Sequence, residues 1–389
     1  MKKVTIFCIV SMLCLLPLAS VAADKVVARS KPDISLKLEL ENAIGRGLGW
    51  LAAKQQPGGY WAQPEYPALT ALALTAFQGD PSRYYLKKYE PQVKSGYAYL
   101  VSCARPDGGI YGKDLANYNT SISMMALLVA NNPDYEPLLK KGRKFLIGLQ
   151  DDYGVKGVGD DPLDGGIGYG GTYKHSDLAN TTFALEALYY SRYLKSDLAN
   201  DPDAKDLNWK AAVQFISRTQ NLPGSNDQAW ASDDPANRGG FVYFPENSKA
   251  GEQKLESGRT ALRSYGSMSY AGLLSFIYAQ VDRNDPRVKA VIEWLGRNYT
   301  LDENPGMKKE GLYYYYHTMA KALSAAGIET LTLKDGTRVN WRQDLARRLL
   351  DLQREDGSWV NDSGRFWEKD PNLVTSYVTI ALEIIHRGL

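Results

Sequence analysis

Apolar residues recur along this chain mainly at spacings of three and four, the period of an amphipathic α-helix. Six of the segments with this pattern also carry charged residues on one face, which is typical of helices on the outside of a protein. We expect these outer helices at residues 35–54, 87–103, 136–150, 208–220, 286–299 and 340–353.

Each outer segment is followed by a second segment that is apolar or small around much of its circumference. Helices without a strongly charged face are buried on most sides. The sequence therefore predicts an all-α protein of six helical hairpins, in which each outer helix is followed by an inner one. The inner helices are expected at residues 66–78, 119–131, 178–194, 260–280, 313–326 and 372–388.

A short motif recurs at the turn inside each hairpin. In its clearest copies Gln55 precedes Trp61 and Gln353 precedes Trp359, each with a glycine two residues before the tryptophan. Four weaker copies lie between them, which indicates one supersecondary unit repeated in tandem. An open solenoid would end in polar capping repeats, yet residues 372–388 are as apolar as the internal helices. We therefore expect the repeats to close into a ring.

The first residues have the features of a secretory signal peptide. Lys2 and Lys3 precede an apolar stretch, which ends in the small residues Val21, Ala22 and Ala23. The predicted organisation is a signal peptide at 1–23, a flexible segment at 24–34 and a single ring domain at 35–389. A secreted or periplasmic protein is expected, and a retained membrane anchor is the alternative.

Composition excludes several classes of partner. The formal net charge is +2 with acidic and basic residues interspersed, so no nucleic-acid partner is predicted. Beyond the signal, no segment has the length of a membrane helix, and no stable membrane span is expected after its removal. Cys103 would then be the one remaining cysteine, so the core must hold without an intramolecular disulfide. The oligomeric state stays open.

The repeated motif resembles the QW repeat of the terpenoid cyclase and protein prenyltransferase superfamily, which includes squalene cyclase-like proteins. The resemblance covers nearly the whole chain after the signal, and it is closest around Gln55 to Trp61 and Gln353 to Trp359. It implies an (α/α)6 toroid of six helical hairpins, in agreement with the helix count. It also implies that the glutamines and tryptophans are structural.

The chemistry of that superfamily is not carried over with the repeats. No D-x-D-D acid motif of the triterpene cyclases occurs. His317 lies in a segment that resembles the zinc-binding segment of prenyltransferases, but residues 263–267 lack the corresponding Asp and Cys. Since a catalytic zinc needs three protein ligands, no metal and no cofactor is predicted.

An acidic cluster lies in a glycine-rich stretch of the sequence. Asp160, Asp161 and Asp164 form a D-D-x-x-D pattern, which binds magnesium and diphosphate in some enzymes when it lies on a helix. Gly159 and Gly165 flank the cluster, so it is expected in a loop. A solvated acidic turn is the plain interpretation, and calcium binding and magnesium–diphosphate binding are the alternatives.

Closing six hairpins into a ring would bring the N-termini of the inner helices together at one mouth. Helix N-termini present unpaired N–H groups and a partial positive charge, and 26 Tyr against 9 Phe adds rings with a polar tip. Helix capping and core packing are the alternative roles for polar residues there. The predicted ligand-binding residues are Asn119, Thr120, Asn180, Thr181, Arg259, Arg263, Tyr265, Ser267, Tyr316, His317 and Thr375.

Two hypotheses on function remain open at this point. The first is an exported binding protein that holds an apolar, isoprenoid-like or glycan ligand in the central cavity. The second is an enzyme, either a cyclase- or transferase-like catalyst acting on an isoprenoid or a polysaccharide lyase on a similar ring. The missing acid and zinc motifs favour binding.

Overall fold

The computed structural model describes residues 33–171, 173, 175–194 and 206–389. The predicted signal peptide at 1–23 and most of the segment 24–34 lie outside the described residues. The first helix begins at Ile34, where the Asp33 carboxylate accepts a hydrogen bond of 3.1 Å from the backbone N–H of Leu36. Such a cap satisfies a donor that the first helical turn leaves free.

The helices form two sets that alternate along the chain. The outer set is α1 (Ile34–Lys54), α4 (Glu90–Ser102), α6 (Glu136–Ile147), α8 (Trp209–Arg218), α10 (Pro286–Arg297) and α12 (Trp341–Asp351). The inner set is α2 (Pro67–Gly79), α5 (Ala116–Ala130), α7 (Leu178–Tyr190), α9 (Gly266–Tyr278), α11 (Leu312–Ala325) and α13 (Pro371–Gly388). A short additional helix, α3 (Tyr84–Lys88), precedes α4.

The inner helices close into a ring. Each packs against the next inner helix along the chain, and α13 returns to pack against α2 and α1. The predicted all-α toroid of six helical hairpins is confirmed. Strands are few among the described residues: β1 (Glu252–Lys254) pairs antiparallel with β2 (Thr260–Leu262), and β3 (Leu331–Thr332) with β4 (Arg338–Val339). In the described part of the chain, no helix combines the length and apolar character needed to cross a membrane.

Two of the predicted helices were wrong in their bounds. The segment 260–280 was expected to be helical throughout, but 260–262 forms strand β2 and α9 begins at Gly266. The segment 87–103 is interrupted, because α3 ends at Lys88 and α4 restarts with Pro91 in its first turn. Proline lacks an N–H group and its ring clashes with the carbonyl four residues earlier, so it starts a helix more readily than it continues one.

The repeated glutamine joins successive hairpins. The side-chain amide of Gln55 donates to the carbonyl of Gly59 in its own turn (3.0 Å) and to that of Gln92 in the next outer helix (2.8 Å). Gln150 and Gln220 donate in the same two directions. Gln353 donates to Gly357 in its turn and to Ala43 in α1 (both 2.9 Å), which joins the last repeat to the first.

The tryptophan of the motif fixes the end of the outer helix. The indole N–H of Trp61 donates to the carbonyl of Leu51 (2.7 Å), and that of Trp359 to the carbonyl of Leu349 (2.8 Å). Both tryptophans are fully buried. Each one therefore fills space between helices and satisfies a carbonyl that the C-terminal helical turn leaves unpaired.

We expect Gln353→Ala to lower the free energy of unfolding by about 1–3 kcal/mol, because two partly buried carbonyls lose their donor. Urea denaturation would measure the change. Gln343→Ala is the matched control, since Gln343 lies on α12, the helix that precedes Gln353, and its side chain makes no hydrogen bond among the described residues. Equal stability of the two variants would contradict a structural role for the Gln353 amide.

A carboxyl group is buried between α13 and α2. Glu383 is 1% exposed, and its Oε1 has no hydrogen-bond partner among the described residues. Gly79 provides the room, because a Cβ there would lie 1.8 Å from Oε2 of Glu383. Burial raises the pKa of Glu383 well above its ordinary value, although Arg387 acts in the opposite direction.

A pKa raised in the folded state gives stability that is present below the unfolded pKa and is lost as pH rises through the folded pKa. The wild type should therefore lose at least about 1 kcal/mol more than Glu383→Gln between about pH 4 and about pH 8. Urea denaturation of both proteins at the two pH values would test this. Parallel losses would show that Glu383 is not the titrating group.

Candidate functional site

The N-termini of the six inner helices lie at one end of the ring, which we call the mouth. The direction follows from the hairpins, because each inner helix starts after the turn that follows an outer helix. The connecting segments at the mouth are 55–66, 103–115, 148–177, 219–265, 298–311 and 352–370. The site is therefore built mainly from loops on a rigid ring, the usual arrangement for binding residues.

Several N–H groups at the mouth are already paired. The Asn119 side-chain oxygen accepts from the backbone N–H of Ala68 (3.0 Å), where α2 begins. Asn304 does the same for Ser267 in α9 (2.9 Å). The Glu368 carboxylate accepts from Tyr314 N in α11 (2.7 Å). Side chains from neighbouring segments thus cap these helices, and fewer donors remain for a ligand than an uncapped ring would offer.

Three predicted hydroxyl groups also bond to the turns. Thr120, Thr181 and Thr375 are fully buried, and each accepts a hydrogen bond of 2.9–3.1 Å from a backbone N–H of the preceding turn. In α9 this position belongs to Ser269, not to the predicted Ser267. The error arises because α9 is buried on all sides and its apolar pattern gives no register. Ligand contact by these residues stays a prediction.

Asn180 forms a pair with Asp177 at the start of α7. The Asp177 carboxylate accepts from the backbone N–H of Asn180 (2.9 Å) and from its side-chain amide (2.7 Å). Both residues are buried, and burial raises the pKa of Asp177. This pair caps α7 and places a carboxyl group beneath the mouth.

The other predicted residues do not form one cluster. Arg259 donates to the carbonyls of Ala229 and Ala231, and Arg263 donates to the carbonyl of Glu252 in β1. Both guanidinium groups therefore hold the hairpin of β1 and β2. Tyr265 is buried as the residue before α9, and burial raises its pKa.

Tyr316 and His317 point into packed protein. The Tyr316 hydroxyl donates to the carbonyl of Leu301 in the segment after α10. The His317 ring lies 4.8 Å from that of Tyr377, and its Nδ1 is 3.2 Å from the Tyr377 carbonyl oxygen. Burial lowers the pKa of His317 to about 3, so its imidazole is neutral at physiological pH. Their contact with a ligand stays a prediction.

The acidic cluster forms a structured loop. Asp164 accepts from the backbone N–H groups of Tyr153 (2.6 Å) and Asp161 (2.8 Å), while Asp161 and Asp160 also accept from backbone N–H groups. Within the described ranges, no group of three or more acidic, histidine or cysteine side chains is arranged to hold a metal. The carboxylates serve the loop in this arrangement, and calcium binding stays a prediction.

The predicted site did not include an aromatic surface at the mouth. Phe366 and Trp367 are 40% and 41% exposed, and the Trp367 ring lies 4.6 Å from that of Tyr66. Both residues have left-handed backbone conformations, with φ of 60° and 62°. That conformation costs an L-residue about 1–2 kcal/mol, and such strain concentrates at functional sites. The sequence shows the two aromatics together in a turn but not their strain.

A lysine lies beside this surface. The Lys249 amino group is 3.6 Å from the ring centroid of Tyr243 and 5.0 Å from that of Phe366. The Tyr243 hydroxyl donates to the hydroxyl of Tyr169 (3.3 Å). Burial lowers the pKa of Lys249, while the nearby charge of Asp177 acts in the opposite direction. The mouth thus combines exposed rings, hydroxyl groups and a cation.

Aromatic rings from four of the inner helices, α5, α7, α11 and α13, also pack against one another. The rings of Tyr118, Phe183, Tyr314 and Tyr377 follow one another at centroid distances of 5.3, 6.1 and 6.0 Å. The hydroxyls of Tyr118 and Tyr377 lie 3.4 Å apart, so the four side chains contact one another in a closed circle.

A buried ion pair also joins two of the inner helices. Lys321 in α11 donates to the carboxylate of Glu186 in α7 at 2.6 Å. The inner helices thus supply polar and charged groups as well as aromatic ones.

Known structures share this architecture. A variant of the type II terpene cyclase MstE from Scytonema matches with a TM-score of 0.50 and 12% identity. A GH76 α-mannanase from Bacteroides thetaiotaomicron matches with 0.55 and 9%, and an unsaturated glucuronyl hydrolase specific for heparin with 0.56 and 12%. Each match covers 91% of this chain and 98% of the other.

At these identities the likeness shows the fold alone. No protein-family model matches the sequence, and no curated protein is similar enough to count as a relative. The chain therefore has a toroid fold that terpene cyclases and glycan-active enzymes share. The fold does not determine the function, which depends on the residues of this chain.

The strained turn gives a testable expectation. Phe366→Gly should be more stable than Phe366→Ala by about 0.5–1 kcal/mol, because both lose the ring and only glycine adopts positive φ without the steric cost. Thermal unfolding would measure the difference. The same pair of changes at Tyr84 is the control, since Tyr84 is also exposed (59%) but lies in α3, where glycine should be the less stable of the two. A Phe366→Gly variant no more stable than Phe366→Ala would show that residue 366 is not strained.

Proposed function

We propose that the protein is an exported carbohydrate-binding protein that takes an oligosaccharide at the mouth of its toroid. The observation that carries this proposal is the exposed aromatic surface of Phe366 and Trp367, held on strained backbone beside polar groups. Export rests on the signal peptide predicted at 1–23.

The chemistry of the mouth suits a sugar. A sugar ring has one face of C–H groups and a rim of hydroxyls, so it needs both an apolar surface and polar partners. Tyrosine and tryptophan provide a flat apolar body with a polar tip. Phe366 and Trp367 provide the surface, while the Tyr169 hydroxyl and the Lys249 amino group provide polar atoms near it.

An isoprenoid fits the described groups less well. Such a ligand needs a long pocket lined almost entirely by apolar side chains, because polar groups left beside hydrocarbon lose their hydration. The inner helices carry the ion pair of Lys321 and Glu186 and the hydroxyls of Tyr118 and Tyr377. These groups favour a ligand that can itself form hydrogen bonds.

The same groups favour binding over catalysis. Three carboxyl groups in the mouth segments, those of Asp151, Asp177 and Glu368, have a pKa raised by burial, a property that a general acid needs. Asp177 and Glu368 are fully buried, however, and both oxygens of each accept hydrogen bonds from protein groups. Asp151 accepts a hydrogen bond from the Ser176 hydroxyl. His317 is a poor base because burial lowers its pKa to about 3, and the phenol of Tyr243 stays protonated because burial raises its pKa.

Isothermal titration of the purified protein with defined oligosaccharides would test the proposal. Trp367→Ala should weaken binding about three- to tenfold, because an aromatic stacking contact contributes about 0.5–1.5 kcal/mol. Tyr84→Ala is the matched control, an exposed aromatic at the opposite end of the ring.

Three results would contradict the proposal. The first is normal binding by Trp367→Ala, and the second is an isoprenoid recovered by mass spectrometry from protein exposed to cell extracts. The third is recovery of shortened or unsaturated sugars after the titration, which would indicate an enzyme.

A further inference from the structure

Lys249 lies beside the exposed aromatic surface of the mouth. Its amino group lies over the rings of Tyr243 and Phe366, at 3.6 Å and 5.0 Å from their centroids. Phe366 is one of the two residues that form the exposed aromatic surface. A sugar stacked on Phe366 would therefore bring its ring substituents within reach of the lysine.

The charged groups around Lys249 have other partners. Arg365, the other cation beside Phe366, forms an ion pair with Glu310. The carboxylate oxygens of Asp177 are bonded to Asn180. Among the described residues, no carboxylate lies within ion-pair distance of the Lys249 amino group. The charge of Asp177 acts on Lys249 from beyond ion-pair distance, so the amino group keeps its aromatic contacts and makes no direct ion pair among the described residues.

An anionic group of a ligand in the mouth would give the Lys249 amino group a direct ionic partner. A cation held against aromatic faces has lost part of its hydration, and burial lowers the pKa of Lys249 accordingly. A charge-assisted hydrogen bond is about twice as strong as a neutral one. Because of this difference, an acidic sugar should bind more tightly than a neutral sugar of the same shape.

We propose that the mouth selects sugars carrying a carboxylate or sulfate group and that Lys249 determines this specificity. The inference rests on the proposed function and adds to it the charge of the ligand. The lysine ammonium acts as a point charge and donates to the anionic oxygens of a carboxylate or of a sulfate alike, so the experiment must separate the two sources.

The matched ligands are an oligogalacturonate and its methyl ester of equal length, which differ in charge but not in their sugar rings. Isothermal titration should give an affinity for the acid roughly tenfold to hundredfold higher than for the ester. The difference should shrink as salt screens the charges. A sulfated cello-oligosaccharide and its unsulfated parent, titrated in parallel, show whether carboxylate or sulfate is preferred.

Lys249→Met removes the charge and keeps the apolar stem. It should weaken binding of the acid roughly tenfold to hundredfold and weaken binding of the ester much less. Lys249→Arg should restore most of the preference for the acid. Lys88→Met is the matched control, because Lys88 also lies over tyrosine rings, at 5.2 Å from Tyr89, but at the opposite end of the ring.

Two outcomes would overturn the inference and leave the proposed function standing. One is equal affinity of the wild type for the acid and the ester, and the other is equal weakening of both by Lys249→Met. If a folded wild type, checked by circular dichroism, binds none of the sugars, the proposed function fails as well. Acid-selective binding that depends on Lys249 supports both.

Discussion

The glutamine amide at the end of an outer helix holds this structure in its closed form. Each such amide donates once to its own turn and once to the next outer helix, so it fixes a hairpin internally and joins it to its neighbour. A ring of repeats has no ends only if the last repeat also contacts the first. Gln353 makes that contact with Ala43, and α13 packs against α2.

Many polar groups that the sequence predicts to bind a ligand instead hold the ring together. Thr120, Thr181 and Thr375 bond to turns, and Asn119 caps a neighbouring helix. Buried polar groups are costly unless they are paired. Because many turns join the helices of this protein, many of its buried polar side chains form hydrogen bonds with backbone groups of those turns. The exposed residues of the proposed binding surface lie in loops instead.

The mouth, in contrast to the well-paired ring, contains groups in unfavourable conformations or environments. Phe366 and Trp367 keep an unfavourable backbone conformation and leave large apolar rings in water. Lys249 gives up hydration to lie against two of the aromatic rings. Each of these features lowers stability, and the rigid ring beneath can hold them in place. A stable ring can therefore hold a strained mouth, the surface proposed to bind the ligand.

The sequence by itself determined the twelve helices and their closure, because apolar periodicity and the spacing of Gln55 and Trp61 are local and repeated. It failed at Thr260–Leu262, where a short hairpin replaces the start of a helix that is apolar all round. Only the tertiary structure decided the site. Tyr66, Lys249 and Trp367 come from three different loops, and no local pattern reports how close distant loops lie or which of their side chains remain exposed.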